Sequence, residues 1–329
     1  MKKFSTKEHI LEVLEQQRGK KTSGAALADA LGISRNAVWK AVEELRRDGW
    51  IIDAVPRQGY SLSAENDRIS VQGIRTFLSP DARYCSDRIH VFPTLASTNQ
   101  TAKEMALAGA EHGTVILADH QTAGRGRLSR QFFSPSGGLY MSIILRPEAL
   151  PFRQTAFVTA FAGVSVCEAI EEVTGKKPGI KWVNDLLLDG KKICGILTEA
   201  VTNFESGSLD WVVAGIGINI HTRTEEFPPE LRMLAGSVDP EGRIPGLRNR
   251  LAAAVISCMA GQDVSLQQEQ ILEKYKARLI MLGRKITVVQ GQDTWPATAL
   301  DLSEEGHLIV RKENGETLSL SSGEIRIRL

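Results

Sequence analysis

A stretch without acidic residues runs from His120 to Pro147. Its four arginines are Arg125, Arg127, Arg130 and Arg146. The whole chain is close to neutral, with 40 Lys and Arg against 39 Asp and Glu, so this clustering is local. Gly124 and Gly126 lie between the arginines and leave backbone amides uncovered. Guanidinium groups bind phosphate or carboxylate through paired hydrogen bonds. The pattern predicts a loop that wraps an anionic ligand; the alternative is an exposed basic loop without function.

A second group of polar residues interrupts the apolar segment KWVNDLLLDGKKICGI at 181–196. These residues are Lys181, Asn184, Asp185 and Lys192. Burial of an unpaired carboxylate is costly, so an Asn-Asp pair in strand-like sequence indicates either a ligand site or an ordinary turn. Gly195 predicts a close backbone approach or a β-bulge. The segment therefore predicts a hairpin with a functional polar face, and a turn is the alternative.

The segment GIGINI at 215–220 contains glycines but does not match a common nucleotide-binding motif. The third glycine of a dinucleotide-binding motif is replaced by Ile220, and the chain has no G-x-x-x-x-G-K-[ST] motif. Gly215 and Gly217 instead predict a strand whose backbone lies close to a ligand, with Asn219 as a hydrogen-bonding residue.

The first 64 residues predict a winged helix-turn-helix. A short helix from Ala25 to Leu31 is followed by a turn at Gly32 and by a second helix that Ser34 caps. Two strands around Pro56–Gly59 form the wing. Side chains of the second helix suit base edges in a major groove, and a wing side chain suits a phosphate. The DNA-binding candidates are Ser34, Arg35, Asn36, Lys40 and Arg57.

This unit has 11 Lys and Arg against 8 Asp and Glu, a net charge of only +3. Such a charge gives weak non-specific affinity, so we expect two copies to bind a two-fold symmetric operator. The alternative is a packing or dimerisation module.

The rest of the chain predicts a mixed α/β unit and a small barrel. The apolar strands are TVILAD, GLYMSIIL, IKWVNDLLL, KICGILTEA and LDWVVAGIGINI. Helices are expected at about 97–110, 155–173, 246–261 and 265–282. The last 45 residues contain short strands divided by turn sequences. We predict a multidomain α+β protein with domains at 1–65, 66–282 and 283–329.

Composition excludes several classes of protein. The chain has 329 residues, 42% hydrophobic and 24% charged, which argues against disorder. No apolar run is long enough to span a bilayer, and the N-terminus does not look like a signal peptide. The four cysteines form no CxxC pair, which favours a reducing compartment, the cytosol.

Taken together, these segments resemble the bifunctional biotin protein ligases, also called biotin operon repressors. The matching segments are STN at 97–99, QTAGRGR at 121–127, KWVNDLLL at 181–188, KKICGI at 191–196 and GIGINI at 215–220. The flanking winged helix and small barrel have the family's order. The resemblance implies a class II synthetase-like central sheet and an SH3-like C-terminal barrel.

The resemblance also implies the reaction. Biotin and ATP would form biotinyl-5′-AMP with Mg²⁺, and biotin would pass to a lysine of a biotin carboxyl carrier domain of acetyl-CoA carboxylase or a related carboxylase. The implied catalytic residues are Lys192, Arg127 and Asp185. The implied biotin residues are Ser97, Thr98, Asn99, Gln121, Gly124, Arg125, Gly126, Arg127, Lys192, Gly195, Gly215 and Gly217.

For ATP and the adenylate, the implied residues are Arg127, Arg130, Phe132, Asn184, Asp185 and Asn219. Phe132 stands where the family pattern has a tryptophan, and we expect it to pack near the adenine. Asp185 is the candidate for a weak Mg²⁺ contact or for orienting the acceptor lysine. The partners implied are the carrier domain and operator DNA bound by a homodimer, without membrane association. Two alternatives are a non-catalytic transcription factor that senses a ligand, and a ligase whose N-terminal unit no longer binds DNA.

Overall fold

The N-terminal unit is a three-helix winged helix. In the computed structural model, which describes residues 5–146, 155–202, 209–260 and 268–327, it contains α1 (Thr6–Gln16), α2 (Gly24–Leu31), α3 (Arg35–Arg47), β1 (Ile52–Val55) and β2 (Gly59–Leu62). Gly32 has φ 64°, a left-handed conformation that ends α2 and turns the chain into α3. Ser34 caps α3 by accepting a hydrogen bond from the Ala37 amide at 3.2 Å. The winged helix-turn-helix prediction is therefore confirmed.

The central unit is built on a seven-stranded mixed sheet. Its strands are β3 (Ile89–Leu95), β4 (Thr114–Gln121), β5 (Leu139–Leu145), β6 (Gly179–Lys181), β7 (Asp185–Leu188), β8 (Lys191–Thr202) and β9 (Leu209–Ile218). They lie in the order β3-β4-β5-β9-β8-β7-β6. Only β3 and β4 pair in parallel among the described strands. Four of the predicted strands are confirmed. IKWVNDLLL is instead two strands, β6 and β7, joined by a turn at 182–184 that contains Asn184, and β3 was not predicted.

Helices cover both faces of this sheet, which explains its long apolar strands. The helices that follow the winged helix are α4 (Val71–Phe77), α5 (Thr98–Leu107), α6 (Thr155–Thr174), α7 (Leu247–Ala260) and α8 (Gln268–Arg278). Ile116 packs with Ala102 of α5, whereas its neighbours Val115 and Leu117 belong to the core beneath α6 and α7. Successive side chains of one strand thus pack into hydrophobic cores on opposite faces of the sheet.

The C-terminal unit is an antiparallel sheet of β10 (Lys285–Gln290), β11 (Asp293–Leu302), β12 (Leu308–Lys312), β13 (Thr317–Leu320) and β14 (Glu324–Ile327). Their order is β13-β12-β11-β10-β14. The predicted strands are confirmed, while closure into a barrel and the three domain boundaries stay predictions. Two elements that precede β3 were not predicted from the sequence: α4 and a 3₁₀ segment, Pro80–Arg88.

Within the described ranges, no helix is long and apolar enough to cross a membrane.

Candidate active site

The predicted biotin and nucleotide residues converge on one cavity of about 640 Å³ above the carboxyl-terminal ends of β4 and β9. All of them line it except Gly124. A Cβ at Gly124 would lie 2.5 Å from both the Phe132 carbonyl oxygen and Ser134 Oγ. Gly124 therefore serves the packing of the loop itself, and its predicted contact with biotin is not seen in the cavity lining.

One end of the cavity is a cluster of buried polar side chains. Thr98 donates from its amide and its hydroxyl to Gln121 Oε1, at 2.8 and 3.1 Å. Ser142 Oγ lies 2.8 Å from Thr98 Oγ1 and 2.7 Å from Asn99 Oδ1. Ser97, Thr98, Asn99 and Ser142 are all buried. Ser142 was missed from the sequence because it lies within the apolar strand β5.

Asn99 is held by β8 and determines the shape of this end. Its Nδ2 donates to the Leu197 carbonyl at 3.2 Å and to Glu199 Oε2 at 2.9 Å. Burial raises the pKa of Glu199, but hydrogen bonds from Lys103 and Asn99 outweigh it and leave that pKa below its ordinary value. A Cβ at Gly215 would lie 1.9 Å from Asn99 Oδ1, so only glycine fits there.

The arginine loop, residues 120–136, covers the cavity and is called the flap below. It closes on itself through hydrogen bonds from the Gly126 amide to the Arg130 carbonyl at 2.7 Å and from the Phe132 amide to the Gly124 carbonyl at 2.9 Å. Arg127 Nη1 lies 3.4 Å from Asn184 Oδ1, which places this flap guanidinium beside the β6–β7 turn. Asn184 in turn donates to the Ile196 carbonyl at 2.9 Å.

Lys192 reaches the same cavity because β8 contains a bulge. Leu186 pairs with Cys194 and Leu187 with Lys192, so Ile193 is an extra residue in β8. The bulge brings Lys192 onto the face of Gly195 and Asp185, and its Nζ lies 2.6 Å from Asp185 Oδ1. The expectation that Gly195 marks a bulge or a close approach is supported: a Cβ there would lie 3.2 Å from Lys192 Nζ. Arg127 and Lys192 therefore face one cavity.

Phe132 lies over the floor of the cavity. A Cβ at Gly217 would be 2.6 Å from its Cε1, and one at Gly195 would be 3.0 Å from its Cε2. The Lys192 ammonium is 5.9 Å from its ring centroid. The ring thus contacts the glycines assigned to biotin, and its predicted packing near adenine stays a prediction.

Two further segments complete the cavity and were not predicted. Leu231, Leu234 and Ala235 line it, and the Lys192 amide donates to the Leu234 carbonyl at 2.8 Å. Asn219 Nδ2 fixes the same segment through the Gly236 carbonyl at 3.0 Å. Residues of this segment are scattered in a proline-containing sequence without periodicity, so no sequence pattern identified them.

The second segment is the edge of the C-terminal sheet. Arg130 Nη2 forms an ion pair with Glu324 Oε2 of β14 at 2.6 Å. The hydrogen bond from Arg130 lowers the pKa of Glu324. The flap is thus tied to the last described strand, a contact between residues 194 positions apart that no local pattern could reveal.

The cavity has a polar, anion-accepting character without a preformed cage for a metal. Within the described part of the chain, no group of three or more His, Cys, Asp or Glu side chains could hold an ion. Cys194 is buried and its pKa is raised by burial, so it is a packing residue.

Comparison with known proteins agrees with this geometry. The sequence model of the biotin/lipoate A/B protein ligase family matches residues 91–219, an HTH domain matches 6–61, and the biotin protein ligase C-terminal domain matches 281–328. The bifunctional ligase/repressor BirA of Bacillus spizizenii is 40% identical over 93% of this chain and 94% of its own length. The chain belongs to the family of BirA-like bifunctional biotin ligase/repressors.

More distant members of this family agree. The bifunctional ligase/repressor BirA of Escherichia coli is 29% identical over 93% of this chain and 92% of its own. A biotin protein ligase from Aquifex aeolicus, solved in complex with biotin and ATP, is 29% identical with a TM-score of 0.60. The match covers 73% of this chain and 98% of that one. The resemblance read from the sequence is confirmed.

The DNA-binding candidates are all exposed on the winged helix. Arg35, Asn36 and Lys40 are exposed on α3, and Arg57, with φ 65°, is exposed at the tip of the wing. Ser34 is also exposed, but its hydroxyl is used as the α3 cap. Trp39 of α3 is also exposed, at 53%. It lies next to Lys40 in the sequence and adds an indole to the exposed part of this helix.

Proposed function

We propose that this chain condenses biotin with ATP to form biotinyl-5′-AMP and then transfers biotin to a lysine of a biotin carboxyl carrier domain. In the first step an oxygen of the biotin carboxylate attacks the α-phosphorus of ATP and pyrophosphate leaves. In the second, the deprotonated lysine amine attacks the acyl carbon and AMP leaves. The observation that carries this proposal is the convergence of Arg127 and Lys192 on one cavity that ends in buried polar side chains.

Arg127 and Lys192 suit the first step because it brings two anions together. Lys192 lies 2.6 Å from Asp185 and next to Phe132, so its ammonium is already placed in the cavity before a ligand arrives. Positive groups aimed at the developing charge stabilise the transition state without reorganisation. Ser97, Thr98 and Asn99 line the cavity and suit the polar head of biotin, since such groups reject ligands that leave them unpaired. Ser142 lies behind them and holds Thr98 and Asn99.

Mg²⁺ fits this site as an ion held mainly by its substrate. Asp185 and Glu324 are carboxylates of the cavity, and Mg²⁺ commonly binds one or two carboxylates together with nucleotide phosphates. We assign Asp185 to the ion, which would neutralise phosphate charge. Asp185 also holds Lys192, so its removal affects a cation of the protein as well.

The decisive experiment is ATP–pyrophosphate exchange in the presence of biotin. We expect exchange that requires biotin, and a loss on the order of 10²–10³ in rate for Lys192→Ala. Lys191→Ala is the matched control, because Lys191 is the adjacent lysine of the same strand and does not line the cavity. Absence of exchange in the unaltered protein would leave the non-catalytic sensor as the function. Equal rates for the two variants would remove Lys192 from the mechanism.

We also propose that the adenylate-bound chain represses transcription as a homodimer on a two-fold symmetric operator in the cytosol. The exposed α3 surface and the modest charge of the N-terminal unit support binding through two copies. A gel shift with and without biotin plus ATP tests this. A shift that ligands strengthen supports the repressor, whereas no binding at low salt would indicate a ligase alone.

A further inference from the structure

Arg248, near the start of α7, is a buried arginine outside the cavity. It is 5% exposed, and each nitrogen of its guanidinium has its own acceptor. Nη2 donates to Asp119 Oδ1 at 2.6 Å, Nε to the Gly138 carbonyl at 2.8 Å, and Nη1 to the Asp67 carbonyl at 3.2 Å. These acceptors belong to three separate segments of the chain. The planar guanidinium offers donors in several fixed directions and reaches all three acceptors, whereas the ammonium of a lysine could not reach all three.

Two of these acceptors flank the flap. Asp119 lies in β4 immediately before it, and Gly138 lies two residues after its end. The pKa of Asp119 is raised by burial, but Arg248 and a hydrogen bond with Ser136 outweigh this and lower it. The neighbouring Gly137 carbonyl accepts from the His221 amide at 3.1 Å. One guanidinium therefore fastens both ends of the loop that covers the ligand.

The third acceptor, Asp67, lies in the segment that joins the winged helix to the sheet. Besides its carbonyl, Asp67 offers its carboxylate to the Arg248 amide at 3.3 Å and to His221 Nε2 at 2.8 Å. His221 follows β9, three residues after the end of that strand. Asp67 thus links the base of the flap to the segment beyond β9.

The next residue of α7 makes the connection to the winged helix itself. Asn249 is fully buried, and its Nδ2 donates to the Arg68 carbonyl at 2.9 Å and lies 3.4 Å from Glu15 Oε1 of α1. Its Oδ1 accepts from the Ser70 amide at 3.0 Å. Glu15 is buried and paired with Arg18, which donates to the Asn66 carbonyl at 2.7 Å. Adjacent residues of one helix thus contact the flap and the DNA-binding unit.

We propose that Arg248 is a positioning residue for adenylate formation: it fixes both ends of the flap, and through Asp67 it makes flap ordering depend on the attachment of the winged helix. This inference rests on the proposed adenylation. When the flap orders over a ligand, its ends hold Asp119 and Gly138 in the geometry that Arg248 requires. The same geometry fixes Asp67 and the segment that follows the winged helix.

A merely structural role is a poor explanation of this arrangement. Burial of a charged group is costly, and an apolar residue of similar volume commonly packs as well or better. The acceptors of Arg248 also come from segments that are distant in sequence and that meet only beside the flap. The hydrogen bonds of Arg248 therefore fix the relative positions of these segments in addition to filling space.

The test compares Arg248→Lys with Arg250→Lys in the full chain. Lysine keeps the charge opposite Asp119 but cannot serve three acceptors. Arg250 is the control on the same helix, and it lines a separate cavity of about 450 Å³. A second variant, Arg248→Met with Asp119→Asn, removes both charges together and avoids an unpaired buried carboxylate. Thermal unfolding of each variant reports whether it is folded.

Two readouts separate positioning from stability. The first is the split between KM for biotin and kcat in pyrophosphate exchange. For Arg248→Lys we expect KM to rise on the order of tenfold, the size of one lost charge-assisted hydrogen bond, with a smaller change in kcat. The second is hydrogen exchange, with and without biotin plus ATP, of peptides covering the flap and residues 66–70. In the unaltered protein, ligands should slow exchange both in the flap and in residues 66–70, which we call the linker segment. In the two Arg248 variants, ligands should not slow exchange in the linker segment.

The outcomes are distinct. If the unaltered protein catalyses exchange but Arg248→Lys matches Arg250→Lys in KM and in linker protection, the positioning role is wrong and the adenylation stands. If the unaltered protein does not catalyse exchange, the proposed function itself fails. If both Arg248 variants are folded and lose ligand protection only in the flap, Arg248 positions the flap without coupling to the winged helix, and that half of the proposal is overturned.

Discussion

Gly215 and Gly217 offer a direct measurement of how tightly the buried polar end of the cavity is built. The two residues lie two positions apart in β9, so their side-chain positions share one face of the sheet. A methyl group at Gly215 would lie 1.9 Å from Asn99 Oδ1, whereas one at Gly217 would meet the ring of Phe132 at 2.6 Å. The two alanine variants thus place the same small group against different neighbours.

Gly215→Ala should be strongly destabilising because Asn99 cannot move without losing its partners. Its side chain has polar contacts with Leu197, Glu199 and Ser142 at 3.2, 2.9 and 2.7 Å. At about 1 kcal/mol for each, the loss is about 3 kcal/mol. For a unit of this size that corresponds to a fall in Tm of about 6–12 °C. Biotin-dependent exchange should disappear, since Asn99 belongs to the polar cluster.

Gly217→Ala should cost about 1 kcal/mol or less, because Phe132 belongs to the flap and its ring can turn away. Thermal unfolding followed by circular dichroism, with pyrophosphate exchange on the same samples, compares the two variants. Equal Tm values for Gly215→Ala and Gly217→Ala would refute the reasoning, because they would show that Asn99 rearranges freely.

Three other expectations follow from contacts outside this cluster. Glu324→Gln releases Arg130, which is 62% exposed in its side chain, so stability should change by less than about 1 kcal/mol. Trypsin should nevertheless cleave the flap several-fold faster, and an unchanged cleavage rate would show that the ion pair does not hold the flap. Burial lowers the pKa of His221, but the hydrogen bond to Asp67 and the Asp239 carbonyl outweigh it and raise that pKa. The protonated form therefore stabilises the fold, and the stability advantage of the unaltered protein over His221→Gln should be full below about pH 6.5 and shrink as the pH rises further. If the difference in unfolding free energy between the two proteins, measured by urea titration, stayed constant between about pH 5.5 and 9, this would be contradicted. Trp39→Ala should weaken operator binding in gel shifts and leave pyrophosphate exchange unchanged; equal DNA affinity would assign the exposed indole to another role.

Strands of the central sheet could be predicted because their residues are buried on both faces. TVILAD and GLYMSIIL are mostly apolar, and the structure places them as β4 and β5 beneath helices on either side. Turn chemistry identified the helix-turn-helix, since Gly32 takes the left-handed conformation and Ser34 the capping position. Local sequence patterns were therefore sufficient to predict these elements.

The parts of the site that sequence reasoning missed depend on contacts between distant segments. The bulge at Ile193 decides which face Lys192 uses, yet strand alternation alone would have placed Lys192 differently. Glu324 and Ser142 become site residues only through pairing with the flap and with Asn99. The exposure of Trp39 was not predicted, because an aromatic residue in a helix is usually largely buried.

The charges that line the cavity have a consequence for selectivity among the many anions of a cell. Lys192 is paired with Asp185 and Arg130 with Glu324. The other cations of the lining are Arg125, Arg127, Lys181, Arg284 and Arg326. An anion can therefore bind in the cavity without displacing either carboxylate. Because salt screens such charges, we expect the affinity for ATP to fall as ionic strength rises, with inorganic phosphate acting as a weak competitive inhibitor.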